Sequence, residues 1–211
     1  MKKATSSKIS NFSIERLLLY SRTLSDIKRN QKVTKILSTD IASFLNIDST
    51  QVRKDLSYIG KLGKRGLGYF VDSLLNALNS FLYRDKKINT AILGIGKLGS
   101  ALLGYQPFQK YNIHIVAGFD VNPNKIGNRL NNIIIYPVDE LEYIIKAKNI
   151  QIGVITTPES AAFGIAERLK NAGVKAIINF APVFISFADK PIVENIDLSY
   201  FFEIARYKIF R

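Results

Sequence analysis

A chain of 211 residues, 47% hydrophobic and 11% aromatic, is long enough for one large domain or two small ones and too apolar to stay disordered. It contains no cysteine, which excludes disulfides, thiolate metal sites and cysteine nucleophiles, and no run of eighteen apolar residues that would cross a membrane. Thirty lysines and arginines against 17 acids leave a net charge of +13, a bias towards polyanionic partners.

The first ten residues are polar, and MKKATSSKISNFS lacks the apolar stretch of a secretory signal, so the cytoplasm is the expected compartment. Ser13 is placed to cap a helix in which Ile14, Leu17, Leu18, Leu24 and Ile27 recur at helical spacing, and the polar run 28–32 breaks the pattern. Ser38 is expected to cap a short helix carrying Ile41, Ala42 and Leu45. Asn46-Ile47-Asp48 then turns, and Ser49 caps the next helix, with Val52 and Leu56 inward. Residues 61–70, KLGKRGLGYF, set cations among glycines and read as a two-stranded wing. Asp72 caps a further helix with Leu74, Leu75, Leu78 and Leu82 apolar, and the charged run 83–89 reads as a domain boundary.

Beyond that boundary short apolar runs at 90–93, 113–119, 133–136, 150–155 and 176–179 alternate with helical patterns at 97–105, 138–147 and 159–172. The alternation predicts a doubly wound parallel sheet of α/β class. Asp197 caps a last helix over 198–209, where Tyr200, Phe201, Phe202, Tyr207 and Phe210 are too many aromatics for solvent. The predicted division is therefore 1–82, 83–196 and a separate C-terminal helix, 197–211.

Residues 1–80 hold 14 basic and 6 acidic side chains, a denser positive body than the rest of the chain. A DNA-reading helix needs one apolar face to dock and one polar face to reach bases and phosphates. In the helix after Ser49, Val52 and Leu56 supply the first face, and Ser49, Thr50, Gln51, Arg53, Lys54 and Ser57 the second. Glutamine pairs with adenine and arginine with guanine, whereas lysine mostly meets phosphate. Lys61, Lys64, Arg65, Gly66 and Tyr69 of the wing complete the candidate surface. The plain alternative is a small helical bundle with a solvated basic face.

The segment AILGIGKLGSALL places Gly94, Gly96 and Gly99 after an apolar strand and at the head of a helix, the setting of a dinucleotide fingerprint. Gly94 permits a tight turn, Gly96 lets a pyrophosphate approach the backbone, and Gly99 lets helix and strand pack closely. The helix start offers free N–H groups to the phosphates. The second strand ends at Asp120, 21 residues after Gly99, where a carboxylate binds the adenosine ribose and repels a 2′-phosphate. This favours NADH and NAD+ over their phosphorylated counterparts, although Asn122, Asn124 and Lys125 nearby weaken the preference slightly. The strand-end segments around Thr156, Thr157 and Asn179 offer no poised base with a partner, and the only histidine, His114, falls early in the second strand. Neither a catalytic nor a metal site is expected, although an NAD-dependent oxidoreductase with a helical dimerisation domain is the competing reading.

The stretches QVRKDLSYIGKLGKRGLGYFV, GIGKLGSALLGY, FDVNPNKIG, IGVITTP, AGVKAIINFAP and ENIDLS together resemble the Rex redox-sensing transcriptional repressors, from about residue 14 to the C-terminus. The resemblance implies a homodimer, each chain with an N-terminal winged helix-turn-helix and a C-terminal Rossmann domain, and a C-terminal helix swapped onto the partner. It implies that NADH binding releases an inverted-repeat operator, whereas NAD+ is compatible with repression. It implies cofactor contacts at Gly94, Gly96, Lys97, Leu98, Gly99 and Asp120. It adds nicotinamide-side contacts at Thr156, Thr157, Pro158, Asn179, Phe180, Ala181 and Pro182. Arg22, Tyr105 and Asp197 match positions that the family uses to couple cofactor state to domain geometry, and an Arg22–Asp197 pair between subunits is one expectation. The alternative is that Asp197 only caps its helix and Arg22 is a solvated cation. Lys97 stands where an asparagine is usual, Glu159 where a small residue is usual, and Phe187-Ala188 replaces Val-Pro.

Overall fold

A computed structural model of the protein describes residues 9–31, 33–63 and 67–211. The chain divides into two compact units, Met1–Lys86 and Lys87–Arg211. The first is built from α1 (Asn11–Gln31), β1 (Lys35–Ile36), α2 (Ser38–Leu45), α3 (Ser49–Ser57), β2 (Tyr69–Phe70) and α4 (Val71–Phe81). Leu17, Tyr20, Leu24 and Ile27 form the buried stripe of α1, three and four residues apart as one helix face requires. They close over Ile41 of α2, Val52 and Leu56 of α3, and Leu74 and Leu78 of α4.

Several helix starts differ from the sequence expectation: the chain enters each of the four helices one to three residues before the expected cap. The Ser13 amide donates to Ser10 Oγ at 3.2 Å, so Ser10 rather than Ser13 holds the start of α1, which runs on through the polar stretch to Gln31. At α2 the Leu37 amide donates to the Asp40 carboxylate at 2.9 Å, and Ser38 is the first helical residue. Asp48, not Ser49, caps α3, accepting from the Thr50 and Gln51 amides at 2.6 and 3.3 Å. Asp72 lies inside the first turn of α4 and pairs with Lys28 at 2.6 Å.

The wing is also built differently. Segment 61–70 contributes one described strand, Tyr69–Phe70, and its antiparallel partner is Lys35–Ile36 upstream. Gly68 allows this pairing: its φ is +70°, and a Cβ there would come within 2.4 Å of the Ile36 carbonyl oxygen. Lys64, Arg65 and Gly66 lie outside the described residues.

The second unit holds β3 (Ile88–Leu93), α5 (Lys97–Leu103), β4 (Ile113–Asp120), β5 (Arg129–Leu130), β6 (Ile133–Pro137), α6 (Leu141–Ala147), β7 (Ile152–Ile155), α7 (Glu159–Ala172), β8 (Ala176–Asn179), β9 (Ile192–Asn195) and α8 (Leu198–Ile209). Its sheet runs β5-β6-β4-β3-β7-β8-β9, parallel throughout except for the β5–β6 hairpin. The chain starts at β3, winds outward through β4 and β6, then returns past β3 to β7. Strand order therefore reverses between β3 and β7, and sheets of this kind bind ligands at the carboxyl ends of the strands there. Neighbouring residues of β3 serve opposite faces: Leu93 packs with Leu141, Ile145 and Leu169 of α6 and α7, and Ile92 with Leu103 of α5. The last helix, α8, has no buried residue.

Candidate functional site

At the β3–β7 switch point, three glycines meet three different constraints. Gly94 has φ +92°, and a Cβ there would lie 2.9 Å from Thr157 Cγ2 and 3.0 Å from the Thr156 carbonyl carbon. A Cβ on Gly99 would stand 2.1 Å from the Gly94 carbonyl oxygen, so only glycine lets α5 sit this close to the turn. A Cβ on Gly96 would meet nothing within 4 Å. Packing thus explains the first and third glycines but not the second. An open backbone position between two crowded ones is what a diphosphate needs to lie against the main chain.

The end of β7 closes the other side of this turn. The Thr156 amide donates to the Leu93 carbonyl at 2.9 Å, and its hydroxyl reaches the Gly94 carbonyl at 2.7 Å. The Thr157 hydroxyl oxygen is buried and, among the described residues, has no hydrogen-bond partner. An unpaired buried hydroxyl is costly, so its persistence beside an open glycine turn fits a ligand that would satisfy it. Lys97, Leu98, Pro158 and Glu159 are exposed around the turn and at the head of α7.

Asp120, at the end of β4, is 7% exposed. Its Oδ2 accepts from the Ile95 amide at 2.8 Å and from Lys125 Nζ at 3.0 Å, and its Oδ1 from the Asn122 amide at 2.8 Å. Burial pushes the carboxyl pKa up, but the Asn122 amide, Lys125 and the Ile95 amide more than offset that and hold it below the usual carboxylate range. Lys125 also donates to the Ile95 carbonyl at 2.8 Å. The acid expected from sequence is therefore half of an ion pair, because the NPNK turn folds the nearby Lys125 back onto the strand end.

Phe180, Ala181 and Pro182 follow β8 and line a cleft of about 520 Å³ with Leu98, Asp197 and Leu198. Asn179 is 1% exposed, and its carboxamide is committed inside the loop, donating to the Val183 carbonyl at 2.7 Å and accepting from the Ala181 amide at 3.0 Å. Asp197 caps α8, accepting from the Ser199 amide and hydroxyl at 2.8 and 2.6 Å, and these bonds hold its carboxyl pKa low. Tyr105 is exposed and stacks edge-to-face on Phe108 at 4.9 Å. Arg22 is exposed on α1. His114 is the second residue of β4, at the opposite end of the strand from Asp120.

In the first unit α3 turns Val52, Asp55 and Leu56 inward, and leaves Thr50, Arg53, Lys54 and Ser57 exposed with Ser49 at its edge. The Arg53 guanidinium is held among hydroxyls, donating to Ser38 at 3.1 Å, Ser49 at 3.2 Å and Thr50 at 3.0 Å. These neutral partners are easily exchanged for a base edge. Gln51 Nε2 instead donates to Asp55 Oδ1 at 2.9 Å, which leaves one N–H and the carbonyl of that side chain for other contacts. Lys61 is exposed, and Tyr69 is half-buried with its hydroxyl pKa pushed up by burial.

Asp55 is the residue that sequence reading missed. Fully buried, it accepts from Arg16 Nε at 2.6 Å and the Arg16 terminal nitrogen at 2.8 Å, from the Tyr20 hydroxyl at 2.8 Å and from Gln51. Burial pushes its carboxyl pKa up, but the bonds from Arg16, Tyr20 and Gln51 prevail and hold it low. The signal was available: the one acid of a cationic helix falls on that helix's apolar face, three residues after Val52.

Comparison with known proteins agrees with both halves of this picture. Residues 85–183 match the family model described as "CoA binding domain", and residues 8–57 match the one described as "Putative DNA-binding protein N-terminus". The chain is 40% identical, over 97% of its length and 98% of the relative's, to the redox-sensing transcriptional repressor Rex of Carboxydothermus hydrogenoformans. It is 42% identical, over 91% of both chains, to the Rex repressor of Syntrophobacter fumaroxidans. Among solved structures it is similar to RSP in complex with β-NAD+ and operator DNA (34% identity, 97% of this chain and 94% of that one, TM-score 0.90). It is likewise similar to RSP bound to β-NADH (33% identity, 97% and 95%, TM-score 0.88).

Proposed function

Because the chain belongs to the Rex family of redox-sensing transcriptional repressors, we propose that it holds operator DNA as a homodimer and releases it when NADH enters its second unit. It is a regulator and not an NAD-dependent oxidoreductase. The observation that carries this reading is the pairing, in one chain, of a cationic outward face on α3 with a glycine turn left open at Gly96. An enzyme has no need of the first, and a simple DNA-binding module has no need of the second.

The division of labour follows residues 1–82 for DNA, 83–196 for cofactor and 197–211 for pairing of chains, acting in the cytoplasm. Arg53 and the free part of Gln51 read base edges, while Lys54, Lys61, Lys64 and Arg65 hold phosphates. Gly94, Gly96 and Gly99 admit the pyrophosphate, with Lys97 adding charge beside it. The Asp120–Lys125 pair meets the adenosine ribose. The cofactor supplies a nicotinamide ring that is neutral when reduced and cationic when oxidised. Leu98, Phe180, Pro182 and Leu198 give that ring apolar surroundings, which favour the neutral form. Glu159 at the head of α7 acts the other way and narrows the preference.

In α8, Tyr200, Phe201, Phe202 and Tyr207 are each more than half exposed, as is Phe210 just after it. A helix whose aromatics are left exposed by the described residues is an interaction surface, and a second copy of the chain is the partner proposed here. Arg22, Tyr105 and Asp197 are the proposed switch residues. Selection from a random duplex pool tests the function: the recovered operator should be an inverted repeat with half-sites about one helical turn, or a multiple of it, apart, and NADH should elute it. Recovery of random sequence, or no elution by NADH, would contradict the proposal.

A further inference from the structure

Asn195 ends β9, in register with Asn179 at the end of β8. Its Oδ1 accepts from Asn179 Nδ2 at 2.9 Å and from the Ile185 amide at 3.0 Å, and its Nδ2 donates to the Ile185 carbonyl at 2.9 Å. Asn179 in turn binds the Ala181 amide and the Val183 carbonyl. Two carboxamides thus grip alternate residues of the loop after β8. Only two residues beyond Asn195, Asp197 caps α8. The cleft of about 520 Å³ has that loop as one wall and the β9–α8 junction, 195–199, as the other. Asn195 cross-braces both walls.

We propose that Asn195 is a positioning residue that makes the nicotinamide-side loop and the head of α8 move as one body. Through it, the state of the cofactor in the cleft is passed to α8. This rests on the NADH-sensing function proposed above. A ligand shifts a conformational equilibrium only by contacts that differ between the two states. A ring seated against the loop therefore biases α8 only if loop and helix head are mechanically joined. The loop has no helix or strand of its own; the Ile196 amide donates to the Asn179 carbonyl at 2.8 Å and ties its first residue to the junction, and beyond that residue the join falls to side chains. The buried position of Asn179 strengthens its bonds, because water does not compete for them. Cutting the brace leaves both parts in place but lets each adjust without the other.

The test uses the full chain and measures NADH affinity twice, on free protein and on operator-bound protein, for wild type, Asn195→Ala and Asn195→Asp. The ratio of the two affinities is the coupling, and linkage requires it to equal the effect of NADH on operator affinity. In Asn195→Ala the ratio should shrink by about fivefold or more, within the 5- to 150-fold span such couplings occupy. Asn195→Asp keeps the acceptor for Asn179 and for the Ile185 amide, and should fall between wild type and alanine. Simple loosening of the cofactor site would weaken both affinities together and leave the ratio alone. A ratio within about twofold of wild type in both variants would overturn the inference. If Asn195→Ala does not fold, the ratio in Asn195→Asp decides by the same criterion. A wild-type ratio of one would instead strike the sensing function itself, and the brace with it.

Discussion

Arg16→Met removes the charged partner of Asp55 while keeping a stem of similar length against α1 and α3. The carboxylate is fully buried and takes two of its four hydrogen bonds from Arg16, so the variant strands a buried charge on two neutral donors, Tyr20 and Gln51. Breaking a buried pair in this way costs about 3–5 kcal/mol. The Arg16 side chain is 27% exposed, which softens its Coulomb contribution and points to the lower end, about 3 kcal/mol. Against a total stability of about 5–15 kcal/mol, that is enough to expose α3 to frequent opening. Hydrogen exchange of α3 amides in the full chain reads the loss directly. The double variant Arg16→Met with Asp55→Leu should recover only part of it, because no charge is then left buried but the buried Tyr20 hydroxyl loses its acceptor. The network also sets a pH signature. Asp55 has a folded pKa below its unfolded value of about 3.9, so its stabilisation is present above that value and fades as pH falls through the lower folded pKa. In Arg16→Met that pKa rises, so the loss of α3 protection on acidification should shrink, and should turn into a gain where burial lifts the folded pKa above the unfolded one. Protection within about 1 kcal/mol of wild type in Arg16→Met, with an unchanged acid profile, would refute this reasoning.

Other substitutions have equally definite expected outcomes. Gly96→Val should fold normally, since the position is open, but lose NADH binding by calorimetry; Gly99→Ala should unfold at lower temperature, because its Cβ would sit 2.1 Å from a backbone oxygen. Arg53→Ala should cost about 1–3 kcal/mol on the selected operator and relax specificity at one position per half-site, whereas Lys54→Ala should weaken all duplexes alike and lower the salt slope by about one. Lys125→Ala should sharpen discrimination against NADPH in a competition assay, because it bares the Asp120 charge, and Asp120→Ala should erode it. Arg22→Ala should leave NADH affinity for the free protein largely intact while shrinking the NADH effect on operator retention by about 5- to 150-fold; a full response would move the switch to Tyr105.

The sequence made periodic elements and glycine chemistry legible. The strand at 176–179 and the helices at 159–172 and 198–209 appear with the expected bounds, because each has an apolar rhythm ended by a capping or turn residue. Strands β5 and β9 went unseen: two residues are too few for a period, and the edge strand Ile192–Asn195 never buries a residue fully. Caps slipped by one to three positions: an earlier polar side chain holds α1 and α3, while α2 and α4 start from Leu37 and Phe70, which no capping preference selects. The largest gap was tertiary. Arg16 and Asp55 are 39 residues apart, and Asn179 and Asn195 are 16 apart, so nothing local announces that these side chains meet. Lys125 was noticed near Asp120, but only the folded turn turns proximity into an ion pair at 3.0 Å.

The central claim is that one chain converts the reduction state of a nicotinamide cofactor into occupancy of DNA. Operator retention by the full chain, followed at a fixed total of NADH plus NAD+ while their ratio is varied, tests it most directly. Bound operator should fall steeply as NADH replaces NAD+, NADH absorbance at each ratio should stay constant with time, and the response should be lost in Gly96→Val. Retention that ignores the ratio, or NADH consumed during the titration, would contradict it.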